Sequence, residues 1–96
     1  MIITGMDHFQ SVCKRKLVEW YNTHRFIGFS GIGSPDIDLS NVFVVWCCKT
    51  LQNYKALLST TVSGDGIYVE FTYNGDKQEL YMDVYMKKVN EKITDE

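Results

Sequence analysis

Seven consecutive residues without a charge, Val42-Phe43-Val44-Val45-Trp46-Cys47-Cys48, constrain the fold more than any other stretch. They are β-branched and aromatic, too few for a buried helix, and bounded by turn-forming residues, so they read as a strand. Side chains alternate along a strand, which puts Val42, Val44 and Trp46 on one face and Phe43, Val45 and Cys47 on the other. Both faces are apolar and call for cover, so this run is expected in the middle of the core.

A chain of 96 residues holds one core of two layers and not a second domain, so residues 1–96 are expected to form a single domain. With 45% hydrophobic and 23% charged residues it has enough apolar surface to fold. Its net charge of -2 argues against the broad basic field that non-specific nucleic-acid binding needs. No stretch approaches the ~20 apolar residues of a membrane span, and no secretory pattern precedes the three cysteines, so a reducing cytoplasm is expected.

The N-terminal segment carries Phe9, Val12, Cys13, Leu17, Trp20 and Tyr21 at spacings of three and four, which predicts a helix over 7–24. Asp7, with Gln10 three residues on, fits a capping box. Residues 25–41 hold Gly28, Gly31, Gly33, Ser34 and Pro35 and read as a loop and candidate contact surface. The spacing of those glycines resembles a phosphate cradle, but a strand follows where such a cradle needs a helix.

Residues 42–86 are expected to form an antiparallel sheet. Tyr54 to Val62 returns from the first strand, and a two-residue loop at Gln52-Asn53 sets Cys47 opposite Leu58, Val45 opposite Thr60 and Phe43 opposite Val62. A second turn falls at Ser63–Gly66. Ile67 to Tyr73 alternates and meets Asn74-Gly75, a pair that favours a type I′ turn and sets Val69 opposite Leu80 and Ile67 opposite Met82. The tail, 87–96, suits a short helical turn or a frayed end. The fold class predicted is α+β: an N-terminal helix packed on a four-stranded antiparallel sheet.

The same hairpin places Tyr68 opposite Tyr81 and Glu70 opposite Glu79 on the outer face, with Asp83 and Tyr85 beyond. Like charges set directly opposite are a poor choice for stability alone, whereas tyrosines beside carboxylates suit a basic partner. Tyr68, Glu70, Glu79, Tyr81, Asp83 and Tyr85 are therefore the candidate partner-binding residues. Val42, Val44 and Trp46, on the second face of the first strand, are a candidate dimer contact.

Chemistry is sparse. Adjacent Cys47 and Cys48 point to opposite faces of a strand and cannot readily share a metal. His8 and His24 lie roughly 24 Å apart along a helix at 1.5 Å per residue, too far to share one. Cys13 sits in the apolar stripe, where a thiol is usually inert. No catalytic residue, cofactor or metal ligand is assigned, and no enzymatic activity is expected. Two alternatives stand beside a protein-binding role: a nucleic-acid module using Lys14, Arg15, Lys16 and Arg25, and a nucleotide-sequestering protein using the glycine-containing loop and the tyrosines.

The segments Val44-Val45-Trp46-Cys47-Cys48-Lys49-Thr50-Leu51-Gln52-Asn53, Lys55-Ala56-Leu57-Leu58-Ser59-Thr60-Thr61 and Thr72-Tyr73-Asn74-Gly75-Asp76-Lys77 resemble a small uncharacterised protein family carried by phages and prophages of low-GC Gram-positive bacteria. The resemblance covers the C-terminal half, with a weaker match in the helix, and brings no catalytic residues with it. It implies a small accessory protein in the cytoplasm of an infected or lysogenised host. Such proteins bind host proteins, including antiviral defence effectors such as CRISPR nucleases, and inhibition of one is the expected function.

Overall fold

The apolar stripe of the N-terminal segment folds as helix α1, Met6–His24, in the computed structural model, which describes residues 1–24, 36–62 and 66–94. Phe9, Cys13, Leu17 and Tyr21 recur every four residues and are all buried, so one stripe faces the core. The helix begins before Asp7: the Phe9 amide donates to Gly5 O at 2.9 Å. Asp7 therefore sits inside the first turn, where its charge suits the positive end of the helix dipole, and the capping box expected with Gln10 is absent. Gln10 instead reaches Cys47. A capping box does form at the 3-10 turn Leu39–Asn41, where Asp38 accepts from the Ser40 amide at 2.9 Å and donates its own amide to Asn41 Oδ1 at 3.0 Å.

Four strands follow: β1 (Val42–Thr50), β2 (Asn53–Thr60), β3 (Ile67–Asn74) and β4 (Glu79–Met86). They form one antiparallel sheet in the order β1-β2-β3-β4. Hairpin-type connections order strands as they occur in the chain, so the uncharged run does not become the middle of the sheet: β1 is an edge.

Within β1, Val44 pairs with Leu58 and Trp46 with Leu57, leaving Val45 as an extra residue in a β-bulge. The bulge resets the alternation. Val42, Val44 and Cys47 turn towards the helix, while Phe43 and Trp46 turn away. The β1–β2 turn is Leu51-Gln52, one residue earlier than expected, with Thr50 opposite Asn53 and Leu51 at φ 56°. Cys47 accordingly faces Ala56 rather than Leu58, Phe43 faces Ser59 rather than Val62, and Val45 has no partner at Thr60.

The β3–β4 connection also departs from expectation. Asn74 pairs with Glu79, so the loop is four residues long, 75–78, and not a type I′ pair. Asn74 Oδ1 accepts from the Asp76 and Lys77 amides at 3.0 and 3.2 Å, an Asx turn that closes a longer loop, and Gln78 takes φ 54°. Val69 now faces Val84 and Ile67 faces Met86. The slip is an even number of residues, so every side chain keeps the face that alternation assigned to it.

Helix α1 lies over β1 and β2, and the core gathers Phe9, Leu17 and Tyr21 against Leu58, Val69 and Phe71. The Phe9 and Tyr54 rings meet in a tilted arrangement with centroids 5.1 Å apart. The molecule measures 42 × 41 × 20 Å, and its thin dimension is that of one helix layer on one sheet layer. Among the described residues, no helix is long and apolar enough to cross a membrane. Residues 87–94 form neither helix nor strand. The glycines at 28, 31 and 33, Ser34, Pro35 and most of the turn expected at 63–66 lie outside the described residues, although Gly66 is described and takes φ 60°.

The chain re-enters the core at Ile37, which is pinned to the helix by one side chain. Asn22 Nδ2 donates to Ile37 O at 2.9 Å, and Asn22 Oδ1 accepts from the Ile37 amide at 2.8 Å. Replacing Asn22 with alanine removes both bonds and is expected to cost about 1–2 kcal/mol, read as a lower urea midpoint at unchanged m-value. Wild-type stability in that variant would mean that Ile37 is held by packing alone.

Candidate functional site

Helix α1 covers one face of the sheet; the opposite face has no second layer among the described residues. Three rows of side chains cross this open face. Phe43, Ser59, Tyr68 and Tyr85 form the first, Trp46, Leu57, Glu70 and Asp83 the second, and Cys48, Lys55, Thr72 and Tyr81 the third. Trp46 is 42% exposed, Tyr68 40%, Tyr81 52% and Tyr85 54%, too much for residues whose only role is core packing.

Charge is divided across this face. β1 presents Phe43, Val45 and Trp46 and no acid, whereas β3 and β4 present Glu70, Glu79 and Asp83 among the tyrosines. Glu70 lies opposite Asp83, and Lys55 answers that like-charge pair from β2 with its Nζ 3.5 Å from Glu70 Oε1. Tyr81 donates its hydroxyl to Glu79 Oε2. That bond, with the carboxylate's charge, raises the Tyr81 pKa above its ordinary value, so the phenol stays a neutral hydrogen-bonding group.

All six residues expected to contact a partner lie on β3 or β4 at positions that share this face, but their neighbours differ from expectation. Tyr68 lies beside Tyr85 rather than Tyr81, Glu70 beside Asp83 rather than Glu79, and Tyr81 beside Thr72. The candidate dimer contact is divided: Val42 is buried and Val44 packs on the core, leaving only Trp46 outside. Phe43, Val45, Lys55 and Leu57 belong to the open face and were not expected there as a group. Periodicity alone could not find them, because the bulge at Val45 has no signature in the residue types.

The other candidate groups are separated from this face and from one another. Lys14, Arg15 and Lys16 are consecutive on a helix and fan out over about 200° of its circumference, so they do not make one patch. Lys16 approaches Glu19 at 3.9 Å, and Arg25 lies outside the described residues. Burial pushes the Cys13 thiol up to about 12, with the neighbouring Cys47 adding to the shift, so Cys13 carries negligible thiolate near neutrality. Cys47 donates to Met6 Sδ at 2.9 Å on the helix side, while Cys48 is exposed on the open face. His8 bonds the Thr4 amide through Nδ1 at 3.0 Å, and His24 stacks on Trp20 at 4.6 Å. A groove of about 430 Å³ on the helix side is walled mainly by Trp20, Phe71, Leu80 and Met82. Among the described residues no group of three His, Cys, Asp or Glu could hold a metal ion.

An open sheet face with aromatic rings, hydrogen-bonding hydroxyls and a few carboxylates has the chemical make-up of a surface that binds another surface. No curated protein matches the chain, and no solved structure matches it. A family model matches over residues 10–95, from the first turns of α1 to the tail beyond β4, and the chain belongs to that family of unknown function, DUF6275.

Proposed function

We propose that this protein acts by stoichiometric binding of another protein through the β3–β4 part of its open sheet face. One observation carries the reading: Tyr68, Tyr81 and Tyr85 stand exposed among Glu70, Glu79 and Asp83 on a face that no other layer covers among the described residues. Tyrosine offers large contact area at low entropy cost, and carboxylates beside it steer a basic partner into register. In the phage setting that the sequence resemblance implies, the partner is a host protein with a basic surface. A defence effector fits, since its nucleic-acid channel is basic and an acidic protein can occupy it.

The test compares wild type with a variant carrying Tyr68→Ser, Glu70→Gln, Tyr81→Ser and Asp83→Asn in affinity capture from host lysate. Tyr68, Tyr81 and Asp83 are exposed and Glu70 is half-buried and keeps its size as glutamine, so the variant is expected to keep its fold, which a thermal melt verifies. Capture of the partner is expected to fall at least tenfold, and wild-type capture to weaken as salt rises. Equal capture by the variant would remove this face from the binding reaction. A captured species that nuclease treatment eliminates would favour a nucleic-acid role instead.

A further inference from the structure

The sheet ends on two unlike edges. At β1 the register shifts at the Val45 bulge, which breaks the row of backbone groups that a further strand would need. At β4 the register with β3 runs without interruption from Glu79 to Met86, and the strand holds no proline or glycine. The Lys87 amide donates to Gly66 O one pair beyond the strand, which fixes the phase of the ladder. Bonded positions alternate in an antiparallel pair, so the backbone groups of Glu79, Tyr81, Asp83 and Tyr85 point to β3 and those of Leu80, Met82, Val84 and Met86 point outward. No described residue hydrogen-bonds to that outer row.

The two sides of β4 differ in chemistry. On the open face Glu79, Tyr81, Asp83 and Tyr85 alternate acid with phenol, and neither carboxylate has an ion pair among the described residues, since Lys55 lies on Glu70. On the helix side Leu80, Met82 and Val84 are half-buried, and the groove of about 430 Å³ opens between β4 and Trp20.

We infer that the outer edge of β4 accepts an extended segment of the partner protein as a fifth strand, one that alternates apolar with polar residues and carries two arginines or lysines four residues apart. Positions whose backbone points to β3 become the closely spaced pairs on the outer side, with Cα atoms about 4.5 Å apart, so Asp83 and Glu79 each stand directly against a partner side chain. The two carboxylates are separated by roughly 14 Å of strand, which sets the spacing of the cations. The partner's intervening residues fall beside Leu80, Met82 and Val84 at the margin of the groove, where apolar side chains bury surface that the helix leaves open. Charge selects a basic strand over an acidic one, and the unpaired backbone holds it. The inference rests on the proposed function for the partner's basic character and adds the means of attachment.

The probe is an acetylated and amidated eight-residue peptide in which valine alternates with arginine, threonine, arginine and threonine, added to the full chain up to roughly 1 mM and read by amide hydrogen exchange. Without peptide the Tyr81, Asp83 and Tyr85 amides are expected to exchange slowly and those of Leu80, Met82 and Val84 fast; with peptide the second set slows at least tenfold. Methylating the peptide's valine nitrogens, which face β4 in this register, is expected to remove the protection, whereas methylating its arginine and threonine nitrogens leaves it. Asp83→Lys with Glu79→Lys is expected to weaken the peptide at least tenfold and to bind its counterpart with glutamate in place of arginine. The methylated peptides leave the protein untouched, so they keep the test open should that variant fail to fold. Unchanged exchange at Leu80, Met82 and Val84, protection that survives methylation of the valines, or full binding of the arginine peptide by the folded charge-inverted variant overturns the inference. Val84→Pro removes an outward amide and no bond to β3, and capture of the host partner is expected to fall at least tenfold in it, with folding verified by a thermal melt. Capture that the quadruple variant loses and Val84→Pro keeps overturns this inference and leaves the proposed function standing. Peptide protection together with capture that the quadruple variant keeps overturns the proposed function and leaves the edge standing.

Discussion

Phe71→Ala is expected to lower folding stability by about 3–5 kcal/mol, while Phe43→Ala costs about 1 kcal/mol or less. The two side chains are identical and differ in the face of the sheet they occupy. Phe71 is fully buried on β3, under the helix layer, and its partner across the β2–β3 ladder is Ala56. A large ring opposite a methyl group fills the space between strand and helix, and no side chain of Ala56's size can move into the cavity left behind. Phe43 is 43% exposed on the open face, so its truncation empties no enclosed volume. A domain of this length has roughly 5–14 kcal/mol of net stability, so the loss at Phe71 is a large fraction of it. Urea unfolding at a few micromolar, where any self-association contributes little, gives both numbers. Equal losses for the two variants would mean that Phe43 is as enclosed as Phe71, and a larger loss at Phe43 that the faces of the sheet are exchanged.

How much of this was legible beforehand differs from element to element, for physical reasons. Helix α1 was visible because burial every four residues is a long-range pattern that tolerates an error of one residue at its start, which is what occurred at Asp7. The inward set Ile67, Val69, Phe71 and Tyr73 was visible because alternation survives an even slip in register, so the outward tyrosines and acids of β3 and β4 came out on one face although their partners did not. The bulge was not visible. A single extra residue at Val45 inverts the alternation after it, and valine at that position looks like any other strand residue. This one event moved Trp46 to the opposite face from Val42 and Val44 and joined it with Phe43. The position of β1 at an edge was hidden for a different reason. Its composition reports how much apolar surface the strand must have covered, and does not say whether the cover comes from the same chain.

Asn74-Gly75 shows how a correct residue can be read for the wrong cause. In a type I′ turn the glycine would be needed for a positive φ, but Gly75 has none. It is needed because another turn lies against it: a Cβ at this position would stand 2.1 Å from Gln52 O and 2.6 Å from Gln52 Cγ. The β1–β2 and β3–β4 connections dock side by side at one end of the sheet. The Gly75 amide donates to Asn53 Oδ1 at 2.9 Å, and Gln52 bonds Asp76 through its side chain. Gly75→Ala must push the two turns apart, and the expected cost is about 1–3 kcal/mol, typical of overpacking, or roughly 5–20 °C in melting temperature. The nearest atom is a backbone oxygen, so adding Gln52→Gly to trim the neighbouring side chain is not expected to restore the loss. Thermal unfolding of the single and double variants decides it. Wild-type stability in Gly75→Ala would show that the turns do not touch, and full rescue by Gln52→Gly would place the contact in the side chain instead of the backbone.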